Sequence, residues 1–121
     1  MLIPEIKNVA VSSNELHSNI RIWQPSSETD FAVTLILDIG PKRKRAADEF
    51  YLRLATPVGL AGLSESNGII SEGPLLVVRR YDFTVLWEWL QATVTKCNDE
   101  SWLLCVQKLQ RYFRWEWDDY T

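Results

Sequence analysis

The stretch Phe31-Ala-Val-Thr-Leu-Ile-Leu-Asp-Ile39 constrains the fold more than any other part of the chain. Apolar and β-branched side chains follow one another with a single charge, Asp38, and such a run suits a buried, pleated strand. Gly40-Pro41 ends it. From Asp48 to Thr56 the chain alternates Phe50, Leu52 and Leu54 against Tyr51, Arg53 and Ala55, the pattern of a half-buried strand. Residues 40–47 join the two, so a long hairpin is expected.

Around this hairpin the other elements are read in turn. Glu5 to Ser12 alternates imperfectly and reads as a weak edge strand, and residues 13–30, polar and carrying Pro25-Ser26-Ser27, read as a surface connection. Pro57 ends the second strand of the hairpin, and Val58 to Leu63 can make one short helical turn. Leu75 to Tyr81 is a further strand whose continuous Leu75-Leu76-Val77-Val78 run suggests burial on both faces. Asp82 stands where an N-cap belongs. Phe83, Leu86, Trp87, Leu90 and Val94 then share one face of a helix. Asn98-Asp99-Glu100 breaks that run and places acids at the start of a second helix, where its dipole favours them. Trp102, Cys105, Val106, Leu109 and Phe113 form the apolar face of this second helix, and Trp115 to Tyr120 alternates like a last strand. The expected fold is a single α+β domain over residues 1–121, an antiparallel meander of about four strands with two C-terminal helices packed on one face.

Composition narrows the function by exclusion. A hydrophobic fraction of 46% and a charged fraction of 24% belong to an ordinary globule. Six Trp, four Tyr and four Phe supply a core without metal or disulfide staples. The net charge of −3 gives no general attraction to a phosphate backbone. The apolar run at Phe31–Ile39 is far shorter than the roughly 20 residues that span a bilayer. The first residues lack a basic segment followed by an apolar one. Cys97 and Cys105, the only cysteines, fit reduced thiols better than a secreted framework. A cytoplasmic protein is expected, monomeric, with no membrane partner.

The sequence offers little to catalysis. His17 is the only histidine, so any Ser-His-Asp or Cys-His arrangement would have to be built on it, and it sits in a polar segment without a nucleophile motif. A structural zinc site asks for four Cys or His ligands and the chain offers three in all. No catalytic residue, cofactor site or metal site is assigned, and the protein is read as not an enzyme. Asp48-Glu49, Asp99-Glu100 and Asp118-Asp119 could pair for acid–base work, but neighbours on a strand point to opposite faces. The basic run Lys42-Arg43-Lys44-Arg45 reads as a solvated hairpin tip. Its alternative is a nucleic-acid patch, which would make the chain a small regulatory nucleic-acid-binding protein together with Arg79, Arg80 and exposed aromatics. Of the tryptophans, Trp87 and Trp102 lie on apolar helix faces and are assigned to the core, whereas Trp89 lies off its face and Trp23 in a polar stretch.

An ordered set of segments carries a resemblance. These are Phe31 through Ile39-Gly40-Pro41, then Glu49-Phe50 leading to Ala55-Thr56-Pro57, then Leu75-Leu76-Val77-Val78-Arg79-Arg80-Tyr81-Asp82. Cys97-Asn98-Asp99-Glu100-Ser101-Trp102 and Trp115-Glu116-Trp117-Asp118-Asp119-Tyr120 follow. In order and spacing they resemble the immunity protein 8 family of bacterial polymorphic toxin systems over about residues 31–120. The basic 42–45 loop and the first 30 residues depart from that pattern. The resemblance implies an antidote that binds and neutralises a cognate polymorphic or contact-dependent toxin by direct protein–protein interaction, with no nucleic acid involved. Many intracellular toxins have basic grooves, so an acidic surface would complement them. On that reasoning Asp99, Glu100, Glu116, Asp118 and Asp119 are the candidate partner-binding residues.

Overall fold

A computed structural model of the chain describes every residue except 15, 64–68, 70–72 and 119–121. The long hairpin is there: β3 (Ala32–Pro41) and β4 (Asp48–Ala55) pair antiparallel, with Leu35 opposite Leu52 and Leu37 opposite Phe50. β1 (Pro4–Ser13) pairs with the other side of β3 and β2 (Leu16–Asn19) closes that flank. The outer edge of β4 is shared. β5 (Leu75–Val77) runs parallel to residues 53–55, and β6 (Arg114–Trp115) runs antiparallel to Phe50 and Tyr51. The sheet order is β2-β1-β3-β4-β5, with β6 off this path against β4, six strands among the described residues. The described residues also form three helices: α1 (Pro57–Gly62), α2 (Phe83–Thr95) and α3 (Trp102–Leu109).

Alternation on the strands sorts the sheet into a covered face and an open one. Val33, Leu35, Leu37 and Ile39 of β3, Phe50, Leu52 and Leu54 of β4, and Val9 and Val11 of β1 are buried. They form one core with Leu86, Leu90 and Val94 of α2, Val106 and Leu109 of α3, and Phe113 beyond it. Burying side chains of this kind stabilises by about 1.5–3 kcal/mol each. The intervening residues, Ala10, Thr34, Ile36, Asp38, Tyr51 and Arg53, stay partly exposed on the opposite face. The two C-terminal helices therefore pack on one face, as expected for this α+β class.

The caps have local causes. Asp82 Oδ1 accepts from the Val85 amide at 3.2 Å and starts α2, as its position in the sequence suggests. For α3 the cap is Ser101, whose Oγ accepts from the Leu104 amide at 3.3 Å. α1 is pinned by Thr56, buried, whose hydroxyl oxygen accepts from the Gly59 and Phe31 amides, both at 3.1 Å. Cys97 and Cys105 are free and buried, and burial pushes both thiols up.

Four expectations change. The Glu5–Ser12 strand is not an edge. β1 lies between β2 and β3, and its imperfect alternation is a register shift between Ile6 and Asn8, which brings Ile6, Val9 and Val11 to the same side. Residues 13–30 are not all connection, because Asn14 takes a positive φ of 49° and turns the chain into β2. Ile20 is buried there, and Trp23 packs edge-on to Tyr81 and Phe31 with centroids 4.9 and 5.7 Å apart. The strand at 75–81 shrinks to three residues at the sheet margin, with Leu75 and Val77 exposed instead of doubly buried. Among the described residues the C-terminal strand shrinks to Arg114–Trp115, since a turn follows at Glu116 and Trp117; residues 119 and 120 of the expected strand lie outside them.

Candidate functional site

The candidate acids converge on one end of the sheet, where β3 finishes, β4 starts and the C-terminal segment returns. Glu116 binds β4 from both sides of its peptide: its carboxylate accepts from the Glu49 amide, and its own amide donates to Glu49 O at 3.0 Å. Asp118 accepts from the Trp115 amide at 3.2 Å and from the Gln110 side chain. Asp99 accepts from the Glu100 amide at 2.7 Å and pairs with Lys108 at 3.1 Å. That amide, with the Lys108 ammonium beside it, holds the Asp99 carboxyl below the usual carboxylate range. Its backbone also pairs with Leu2. Glu100 is exposed. Asp119 lies outside the described residues.

Sequence reasoning missed the residue that ties this end together. Asp48 Oδ2 accepts from the indole N–H of Trp115 at 3.0 Å and of Trp102 at 3.2 Å. One carboxylate thus joins β4, α3 and β6. An acid two residues before the first core residue of a strand carries no signal of this role. The two tryptophans far along the chain are the only hint, because half-buried indoles need an acceptor.

The open face next to this end carries an uncompensated pair of like charges. Asp38 and Glu49 are directly opposite in the β3–β4 register, and Asn8 stands opposite Asp38 on β1. Tyr51 donates its hydroxyl hydrogen to Glu49 at 3.2 Å, whereas Asp38 has no ion pair among the described residues. Burial, and then the Glu49 charge, push the Asp38 carboxyl up. The same two causes push the Tyr51 phenol up. Beyond them Arg114 lies over the Tyr51 ring at 5.2 Å. A cleft of about 430 Å³ opens there between β5 and β6, with Thr34, Arg53 and Pro74 also in its wall. The end is therefore acidic on the sheet face and basic at the adjoining tip, where Lys42, Arg43, Lys44 and Arg45 are all exposed.

The sign of the Asp38 effect sets a prediction. A carboxyl whose folded pKa is raised binds its proton more readily in the folded state than in the unfolded one. Its contribution to stability therefore rises as pH falls through that raised value, and above it the ionised pair opposes folding. Asp38→Asn is expected to stabilise the protein at neutral pH by a few tenths of a kcal/mol, the low end for like charges across a ladder in partial contact with water. Urea midpoints of the two proteins should converge as pH is lowered through the carboxylate range. A neutral-pH midpoint below wild type would contradict the reading of this pair as repulsive.

The chain is thus an α+β protein with a sheet covered on one face and an open face edged by acids. The chain belongs to the immunity protein 8 family, whose family model matches residues 5–120. Comparison with curated proteins and with solved structures returns no match.

Proposed function

We propose that this protein captures its cognate toxin and neutralises it by direct contact, without chemistry of its own. The observation that carries this reading is the family match over residues 5–120, nearly the whole chain. The placement of the acids supports it. Glu100, Glu116 and Asp118, with Asp99, would give the end of the sheet a negative field, and Asp38 and Glu49 extend it onto the open face. Such a field complements the basic groove of an enzyme that handles nucleic acid and accelerates encounter. The two reduced, buried thiols suit a cytoplasmic site of action.

Asp99, Glu116 and Asp118 also hold the fold, so reversing them would confuse binding with stability. Glu100 and Glu49 are exposed and give the cleaner test. Coexpression with the toxin encoded by the adjacent gene should restore growth. The double variant Glu100→Lys, Glu49→Lys should bind that toxin with an association rate about tenfold lower at low salt and a nearly unchanged dissociation rate, as charges at an interface rim act on encounter. An association rate equal to wild type across salt concentrations would remove the acidic end from the interface. Salt-dependent binding to nucleic acid, with no binding to the toxin, would overturn the immunity reading in favour of the basic loop at residues 42–45.

A further inference from the structure

β5 is the terminal strand on its side of the sheet. Its inner edge is fully engaged: Pro74 O accepts from the Arg53 amide at 3.2 Å and the Val78 amide donates to Ala55 O at 2.9 Å. In this parallel register the backbone groups of Leu76 face β4, and alternation turns the N–H and C=O of Leu75 and Val77 outward. Among the described residues nothing pairs with that outer edge. The Leu75 and Val77 side chains are 37% and 47% exposed. A strand edge with exposed apolar side chains and no charge within it is a template for another strand.

A second feature lies beside it on the helix-covered side. Leu54, Val78, Tyr81, Val85 and Leu86 line a groove of about 310 Å³ between the end of β5 and the first turn of α2. Val85 is 61% exposed, and the buried Tyr81 hydroxyl has no hydrogen-bond partner among the described residues. A strand added to β5 would send alternate side chains toward this side, where the groove offers room for one large apolar group. Arg79 follows directly, exposed and without an ion pair among the described residues, whereas Arg80 is tied to Glu28.

From these two features we propose that an extended segment of the toxin adds to β5 as a further strand, seating an apolar side chain in the groove and an acidic one against Arg79. The proposal rests on the immunity reading above. A second copy of the chain is the poorer occupant. The residue of a second copy that could enter the groove, Leu76, is already packed against its own core.

Val77→Pro tests the edge selectively, because it removes an outward N–H and leaves each β4–β5 bond intact, a substitution that edge strands tolerate. Its circular dichroism and urea midpoint should match wild type. Its affinity for the toxin encoded by the adjacent gene, measured by calorimetry, should fall more than about tenfold, the loss of one desolvated hydrogen bond and the fit around it. Val77→Thr, which keeps the N–H, should bind as wild type, and Val85→Glu at the groove should bind as weakly as Val77→Pro. In the wild-type complex, amide exchange should slow at Leu75 and Val77. Folded Val77→Pro and Val85→Glu proteins that bind like wild type would overturn the strand proposal while leaving the immunity reading standing. Absence of wild-type binding would overturn that reading first. If Val77→Pro does not fold, Val85→Glu and the exchange data decide in its place. A free dimer that Val77→Pro dissociates would assign the edge to a second copy and overturn the toxin segment.

Discussion

Gly59→Ala should destabilise the protein by about 3 kcal/mol, the upper range for over-packing. The direction is unusual, because Gly59 lies inside α1, where alanine is ordinarily favoured over glycine by about 1 kcal/mol. Here a Cβ would fall 1.9 Å from Phe31 O and 2.3 Å from Phe31 C. Both are backbone atoms of a residue fixed at the mouth of β3. Phe31 O already accepts from the Thr56 amide at 3.0 Å, so it has no slack to move away. Gly62→Ala is the internal control, since a Cβ there meets nothing within 4 Å. It should leave the urea midpoint unchanged or slightly raised. A Gly59→Ala protein that unfolds at the wild-type midpoint would show that α1 is not seated on Phe31.

Phe50→Ala should remove about 3–5 kcal/mol, the range for truncating a core aromatic. Phe50 is fully buried and meets Phe113 edge-to-face at 6.5 Å between centroids. In the ladder it also stands opposite Trp115. The loss should therefore loosen the C-terminal segment as well as the core, and a red shift of tryptophan emission below the unfolding transition would report it. A variant with wild-type stability would mean that the C-terminal segment contributes little to the fold.

The elements that were legible in the sequence are those whose side chains repeat one environment over many residues. The β3–β4 hairpin and the buried faces of α2 and α3 follow from period-2 and period-3.6 patterns that packing then satisfies. β1 was underrated because the register shift after Ile6 breaks the period while improving the burial. β5 was overrated because four apolar residues in a row look the same whether a second layer covers them or water does. Trp23 sits in a polar stretch of sequence, yet its ring fills the gap beside Phe31 and Tyr81, a contact set by tertiary structure alone. At the candidate site the acids were found by composition, but their bonds were not. Nothing local distinguishes Asp48, which accepts two indoles, from Glu100, which is exposed.

The clasp at Asp48 has a consequence for how the chain assembles. Its three participants, Asp48, Trp102 and Trp115, are far apart along the polypeptide, and the Leu2–Asp99 bridge next to it is more distant still. Closing such loops costs entropy before their contacts form, so these links are expected to follow the local β3–β4 hairpin. During synthesis the Phe50–Tyr51 part of the outer edge of β4 would wait uncapped until Arg114 and Trp115 had left the ribosome. A nascent chain shorter than that lacks the Trp115 bond to Asp48 and the finished sheet margin. The sheet is complete only once the chain has been made at least to Trp115.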